Sequence, residues 1–321
     1  MSAHRELREA LVREIVRGGA LTDPAWRAAF AEVPRHLFVP YFFTGGNGVP
    51  ERLWGEDPDP GRRERWLKGV YTDEPLGTRM RDGELVSSSS QPSLMARMLE
   101  ELKVRDGDTV LEIGAGSGYN AALLSHRLGE RSVTSVEYDV EIADSARSHL
   151  AAAGFRPEVV AGDGARGCRA RAPYDRIIAT CTLPAVPHAW PEQCRAGALI
   201  LAPLSSGLIL LEVRDATHAE GRFLHTPAYF VPLRGAGVGV HQHIGGLPRK
   251  ALQNGLFRFL LTLTAGSLDP QEALSLWERE KRPQRERYGV TLRDGGQWAW
   301  LDDPGGPYVW ELAGLLSPGG P

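Results

Sequence analysis

The sequence predicts an α/β fold built on a doubly wound, mostly parallel sheet, and three observations carry that expectation. Short apolar runs alternate with amphipathic stretches of helical period between Asp108 and Pro203. Parallel strands need helix-length crossovers, so this alternation closes as an open sheet with helices on both faces. A glycine-rich turn, Gly114-Ala-Gly-Ser-Gly118, stands where the first run gives way to the first helix. The composition, 42% hydrophobic and 24% charged over 321 residues, supplies a globular core and length for two domains or one with an appendage.

Taken in order, residues 4–17 place Leu7, Leu11, Ile15 and Val16 on one helical face. Thr22-Asp23-Pro24 signals the start of a second helix that runs to Glu32. Pro34 and Pro40 bracket a short extended piece. Residues 44–69 are charged and turn-rich without a sustained period, which predicts a long loop or insertion. Four serines, Ser87 to Ser90, precede Gln91-Pro92 and a helix marked by Leu94, Met95, Met98 and Leu99. Strands are expected at 109–114 and 132–137, in PEVVAG, in DRIIAT and in GALILAP, with helices at 119–128 and 139–153. From Gly235 the texture changes to a Gly-rich connection, two helices at 251–263 and 270–281, and a tail with the turn signals of a hairpin. The expected parts are a helical cap and substrate side (1–100), a core (101–234) and a C-terminal extension (235–321).

Composition also excludes classes. A formal charge of −3 gives no electrostatic case for binding nucleic acid or a membrane surface. Cys168, Cys181 and Cys194 match neither a disulfide framework nor a metal-ligand spacing, and 37 glycines with 23 prolines imply plentiful turns. His241-Gln-His243 lacks a third ligand, so no metal is expected. The charged N-terminus has no apolar signal core, and no apolar run approaches a membrane span; a cytoplasmic protein is the expectation.

The chemistry concentrates in Glu112-Ile-Gly114-Ala-Gly116-Ser117-Gly118. Dinucleotide turns place glycines at positions 1, 3 and 6. Here they stand at 1, 3 and 5, and Tyr119 occupies position 6, which disfavours a dehydrogenase. The arrangement resembles motif I of S-adenosylmethionine (SAM) methyltransferases, whose ligand has no pyrophosphate. In that setting Glu112 is expected near the ligand's ammonium, with Gly114, Gly116, Ser117 and Gly118 against it. Glu137, ending the second strand, can accept from both ribose hydroxyls, and Asp163 with Gly164 lies where an adenine amino group would be met. Ligands in such sheets bind outside the carboxyl ends of the strands, so these acids converge.

Beyond the cofactor turn, an ordered set of short motifs appears: Val33-Pro-Arg35, Phe38-Val-Pro40, Tyr71-Thr-Asp73, Pro75-Leu76, Ser90-Gln-Pro92, VLEIGAGSGYNAALLS, GDG, PYDRIIAT and Phe230-Val-Pro-Leu233. Over residues 5–233 this resembles the protein L-isoaspartyl O-methyltransferases. The resemblance implies a SAM-methyltransferase, Rossmann-like sheet with an N-terminal helical cap and a small C-terminal appendage. It implies SAM as cofactor, S-adenosylhomocysteine (SAH) as product, and a peptide or protein bearing Asp or isoaspartate as partner. It places Ser90 between the methyl group and the substrate carboxylate, and Gln91, Pro92, Val231 and Leu233 on the substrate side. Such a carboxylate is ionised at neutral pH and needs no general base; the enzyme must position it and exclude water.

Departures from the family pattern matter for the substrate. Leu85-Val-Ser-Ser-Ser replaces the usual Gly-Gln-Thr-containing approach to the serine, Ser93 stands where an aromatic or His is common, and the chain continues well past the usual ending. The architecture is similar to homologues that modify ribosomally made peptides, where an aspartyl methyl ester closes to a succinimide (aspartimide) and opens to isoaspartate. The alternatives are general repair of isoaspartyl proteins and, from another class, a non-catalytic SAM-binding scaffold that holds a peptide. Trp298, Trp300, Tyr308 and Trp310 in the tail form either a peptide-capture surface or a small packed core.

Overall fold

A computed structural model describes residues 3–45, 51–235 and 244–312; His241 and His243 lie outside the described residues. The chain forms two compact units, Met1–Gly164 and Ala165–Pro321. This division differs from the three parts expected: the cap and the cofactor turn share one unit, and the C-terminal extension shares the other with residues 165–234.

In the first unit, α1 (Ala3–Arg17) buries Leu11, Val12 and Ile15. Helix α2 (Pro24–Glu32) is capped by Asp23, whose carboxylate accepts from the Ala25 and Trp26 amides. The piece expected to be extended after Pro34 is instead a single 3-10 turn, Arg35–Leu37, closed by the Phe38 amide on the Arg35 carbonyl. That turn carries Arg35 fully inside.

Residues 51–69 are not a loop. They supply β2 (Glu51–Trp54) and α3 (Pro60–Val70), following β1 (Tyr41–Thr44). Asp59 caps α3 through the Gly61 amide with Pro60 in the first turn, a start signal the charged surroundings obscured. Glu51 and Asp57 bind Arg62, and the Trp66 indole donates to the Val39 carbonyl at 3.0 Å while packing on Gly55. With β3 (Leu76–Arg81) and β4 (Glu84–Ser89) these strands form an antiparallel sheet in the order β2-β1-β3-β4. Helix α4 (Pro92–Glu101) buries Met95, Met98 and Leu99. Then come β5 (Val110–Ile113), α5 (Tyr119–Leu128), β6 (Val133–Glu137), α6 (Val140–Ala152) and β7 (Glu158–Ala161). Strands β5, β6 and β7 pair in parallel, with Val110 opposite Val133 and Thr134 opposite Glu158. Both β5 and β6 are buried along their whole length, as strands covered on two faces must be.

In the second unit, β8 (Tyr174–Ala179) pairs in parallel with β9 (Cys194–Leu204), and an antiparallel series follows: β10 (Gly207–Asp215) and β11 (His218–Pro227). This hairpin was not foreseen, because its turn around Thr217 carries neither Gly nor Pro. After α7 (Arg249–Leu252), α8 (Gly255–Leu263) and α9 (Pro270–Arg279), the chain returns as β12 (Tyr288–Arg293), β13 (Gly296–Leu301) and β14 (Val309–Glu311). Asp294 and Gly295, at φ 49° and 83°, turn the β12–β13 hairpin as a two-residue loop does when both residues are left-handed. Strand β12 pairs with β11, so the extension lengthens the sheet. The Trp300 indole lies over Gly289, where a Cβ would approach it to 2.1 Å, and the Arg222 guanidinium lies over the same ring at 4.6 Å. Trp300 and Trp310 are buried, Tyr308 stacks on Trp310, and Trp298 and Tyr308 are half-buried, so the tail's aromatics pack largely against one another and the sheet.

Among the described residues, no helix is long and apolar enough to cross a membrane, and no group of three or more potential ligands is arranged for a metal.

Candidate active site

The site begins at the end of β5. The Gly114 amide is held by the Val136 carbonyl at 2.8 Å, and Gly114, Gly116 and Gly118 all have positive φ (97°, 52° and 86°), a conformation L side chains strain to adopt. At Gly118 space is short as well: a Cβ would stand 3.2 Å from the Ala146 carbonyl oxygen and 3.3 Å from Leu150, so the turn packs directly on α6. Tyr119, in place of a third fingerprint glycine, buries its ring against Phe30 and Phe38. It locks the start of α5 to the N-terminal helices.

Glu112 lies beneath the turn, with no exposed surface. Its carboxylate accepts from Asn120 Nδ2 at 2.8 Å and Ser135 Oγ at 2.5 Å. Burial pushes its pKa up to about 7; the two hydrogen bonds oppose this and the charge of Glu137 adds to it. Both oxygens are engaged inside the fold, so the side chain braces β5 and α5 where the sequence suggested an ammonium partner. Glu137, at the end of β6, accepts from the Gly116 amide at 3.0 Å and the Asp139 amide at 3.2 Å. It therefore joins the glycine turn to the end of β6 and keeps further acceptor capacity. The Gly162 amide bonds the Glu137 carbonyl at 2.8 Å and brings Asp163 to the same sheet edge; a Cβ on Gly162 would meet open space. Gly164 and Ser117 are both buried.

The serine segment passes against this turn. A Cβ on Gly116 would stand 3.5 Å from the Ser88 carbonyl oxygen and 3.8 Å from Ser87 Oγ. Ser90 is half-buried, and the segment that carries it is held on both flanks. The Arg35 guanidinium donates to the Ser90 carbonyl at 3.2 Å and to Ser89 Oγ at 3.4 Å, and also to the carbonyls of Val70, Thr72 and Glu74. Burial lowers its pKa to about 10, still far above neutral, so it remains a cation. Asp73 accepts from the Ser93 amide at 2.7 Å and from Gln91 Nε2 at 3.3 Å. Gln91, expected on the substrate side, thus bonds within the chain, and Pro92 is buried in the first turn of α4.

Hairpin β3–β4 is tied to α6 by Arg79 on Glu141 and by Arg81 on Asp139 at 2.9 Å. Burial would raise the Asp139 pKa, but hydrogen bonds from the Ile142 amide, Arg81 and the Glu141 amide outweigh it and leave it lowered. A small cavity of about 70 Å³ between hairpin and turn is lined by Tyr41, Thr78, Ser87, Gly116, Ser117 and His149. Val231 and Leu233 lie in the second unit, where they exchange backbone bonds with Thr182, and the Leu233 side chain is buried.

Three residues were missed from sequence: Arg35, Asp73 and Tyr138. The first two stood inside recognised motifs, Val33-Pro-Arg35 and Tyr71-Thr-Asp73, but without a role. Tyr138 follows Glu137 and is 51% exposed, with Val140 beside it at 61%, so the acids at the sheet edge adjoin an apolar surface.

A family model described as protein-L-isoaspartate(D-aspartate) O-methyltransferase matches residues 62–235. A protein-L-isoaspartate O-methyltransferase of Methanoculleus marisnigri is 37% identical over 239 residues, 72% of this chain and 93% of the relative. The chain belongs to the protein-L-isoaspartate(D-aspartate) O-methyltransferase family. A second relative of that name group, from Pelobacter propionicus, is 36% identical over 234 residues, covering 71% of this chain and 91% of its own. Among solved structures, one titled protein-L-isoaspartate O-methyltransferase shares the fold at a TM-score of 0.63 and 24% identity, covering 95% of this chain and 98% of its own. A second, from Plasmodium falciparum in complex with SAH, aligns at a TM-score of 0.55 and 13% identity over 73% of this chain and 99% of its own. As a member of the isoaspartate O-methyltransferase family, the protein is a SAM-dependent methyltransferase.

The residues present fit that cofactor. A glycine turn at positive φ, a carboxylate at the end of β6, an acid after β7 and an exposed aromatic beside them are groups suited to a nucleoside with an amino-acid arm. When bound, the cofactor supplies an electrophilic methyl group on a sulfonium.

Proposed function

We propose that the protein methylates the free carboxylate of an aspartyl residue (its β-carboxylate) or of an isoaspartyl residue (its α-carboxylate) in a peptide or protein. The observation that carries this is the approach of Ser87 and Ser88 to Gly116, with the Ser90 carbonyl held by Arg35 and the following Gln91 and Ser93 held by Asp73. Gly114, Gly116, Ser117, Gly118, Glu137, Asp163 and Gly164 hold the cofactor in this reading, and Glu112 supports the turn. Ser90 donates to one oxygen of the substrate carboxylate and leaves the other free in line with the methyl group. Because the nucleophile is already ionised, these residues orient it and exclude water. Val231, with Gln91 and Pro92 behind Ser90, belongs to the substrate side.

General isoaspartyl substrates are the first reading, supported by relatives whose length is almost wholly spanned by this chain. A second reading, methylation of a specific aspartate in a ribosomally made peptide with closure to succinimide and opening to isoaspartate, is favoured by the altered strand Leu85-Val-Ser-Ser-Ser beside the turn. The C-terminal extension does not separate them, because the solved structure titled protein-L-isoaspartate O-methyltransferase aligns over 95% of this chain. The test is incubation with SAM and, separately, an isoaspartyl peptide and its aspartyl counterpart, read by mass. Gain of a methyl group on the isoaspartyl peptide alone selects the first reading. Gain followed by loss of methanol on an aspartyl peptide selects the second. No methylation of either sinks both.

A further inference from the structure

An antiparallel sheet with one face on the core ordinarily turns polar side chains to the other. Strands β1 and β2 break that rule. Phe42 and Leu53 are in the core, 4% and 3% exposed. Tyr41, Phe43 and Trp54 share the opposite face, because Tyr41 pairs with Trp54 and Phe43 with Arg52. Three aromatic rings thus stand half-buried on the outer side of the sheet. Exposed Arg52 stacks on two of them, 4.1 Å from the Tyr41 centroid and 5.7 Å from that of Trp54, and makes no ion pair among the described residues. Arg62 also lies over Trp54, at 5.7 Å. The Trp54 indole N–H has no hydrogen bond among the described residues, whereas that of Trp66 is taken by the Val39 carbonyl.

The face continues across the sheet to the site. Phe43 lies opposite Gly77, and Leu85 reaches over from β4, where a Cβ on Gly77 would meet its Cδ1 at 3.0 Å. Leu85 is still 43% exposed, and it opens the Leu85-Val-Ser-Ser-Ser run that departs from the family pattern. Ser88 pairs with Gly77, and Ser90 follows two residues on. Tyr41 lines the cavity beside Ser87, Gly116 and Ser117. All of these residues belong to the first unit, so the aromatic face, the cofactor turn and Ser90 share one compact body.

We propose that this face binds an aromatic side chain of the peptide substrate, one that flanks the reacting residue. The proposal deepens the carboxyl methylation reading and rests on it. Neighbouring strands lie about 4.8 Å apart, so the path from β4 across β3 to β1 is about 10 Å, the reach of about three extended residues at about 3.3 Å each. Half-buried rings with an arginine stacked on them are the residue types that anchor interfaces. An aromatic partner suits them because it stacks both on a ring and on the guanidinium plane of Arg52. Cross-strand aromatic pairs also stabilise a sheet, so the test separates binding from folding.

The experiment uses the full-length protein with SAH and 5-fluorotryptophan. The Trp54 fluorine signal is identified by its loss in Trp54→Phe. It is followed during titration with short isoaspartyl peptides that carry Phe or Ser at one position, about two to four residues to either side of the isoaspartate. Trp54 should shift with a Phe peptide and not with its Ser counterpart. In turnover with SAM, the wild type should prefer that Phe peptide by about tenfold in kcat/KM. Leu85→Ser and Trp54→Ser should each bring the ratio toward one. A role confined to folding would slow both peptides alike and keep the ratio, and that result overturns the proposal. So does a Trp54 signal that ignores every Phe peptide. So does a dimer in sedimentation that Leu85→Ser dissociates, since a second copy would then be the occupant. Should Trp54→Ser fail a thermal-melt check, the wild-type titration and Leu85→Ser, which changes an exposed side chain, decide. If no peptide is methylated yet Trp54 follows the Phe peptide, the reaction assignment fails and the docking face stands. If methylation proceeds with neither preference nor shift, the docking face alone fails.

Discussion

Glu112 and Glu137 are two carboxylates a strand apart with opposite surroundings, and they make opposite predictions. Glu112 has a folded pKa near 7, above its ordinary value, so its contribution to stability is complete below about pH 4.5 and is lost as pH rises through 7. Glu112→Gln should flatten that slope, removing up to about 3 kcal/mol of pH dependence in thermal melts between pH 5 and 8. A variant whose melting profile parallels the wild type would show that Glu112 is not the titrating group. Glu137 is anchored by two amides, and its free lone pairs face the cofactor side in the proposed reading. Glu137→Ala should weaken SAH binding by more than about 1.5 kcal/mol in calorimetry; equal affinities would remove it from the site. Ser90→Ala should keep SAH affinity within a few fold and lower turnover at least about tenfold, and a wild-type rate would reduce Ser90 to a loop residue. The places of the strand-end acids and of the glycine turn were legible in sequence because they follow from the order of strands and turns along the chain. The burial of Glu112 was not, since it depends on Ser135 and Asn120 coming from other elements.

At the scale of elements, the start of α4 shows what sequence signals miss. Gln91 makes no side-chain cap, and Asp73 performs that role from 20 residues away by accepting from the Ser93 amide. A cap supplied from a distant segment leaves no local signature, unlike Asp23, Asp59 and Asp269 directly before their own helices. Asp73→Ala should destabilise the protein by about 1 kcal/mol. It should also lower kcat while SAH affinity holds, because the same carboxylate fixes the turn that presents Ser90. Loss of stability with kcat unchanged would restrict Asp73 to holding the helix. The parallel strands were legible for the opposite reason: their runs are local, apolar and bounded by turns. Strands β1 to β4 escaped notice because they are half-buried, short and rich in Arg and Ser, so period and polarity disagree.

For the whole molecule, the question is whether the extension is an accessory or part of the fold. Sequence texture separated residues 235–321 as an appendage, since their glycine-rich approach looks like a linker. The contacts contradict a separable appendage. Strand β12 satisfies the free edge of β11 from His218 to Arg222, and Phe259 packs edge-on against Phe223 with ring centroids 4.8 Å apart. Gln297 closes both backbone groups of buried Val186, accepting from its amide at 3.0 Å and donating to its carbonyl at 2.6 Å. Phe257, Leu260, Trp277, Tyr288, Val290 and Trp300 are buried on the extension's own side. Ending the chain after Arg234 would therefore uncover an apolar sheet face, leave a strand edge open and strand two buried amide groups. Each of those losses costs about 1–3 kcal/mol, and together they approach the whole stability of an ordinary domain. Relatives matched over 239 residues do without a partner of this length; here Phe223 on β11 is already buried by the extension, so the core face is shaped for its cover. The truncated chain should be insoluble or melt without cooperativity and should show no thermal shift with SAH. A soluble truncation with a sharp melt near the wild-type temperature would restore the accessory view and return residues 165–234 to an independent core.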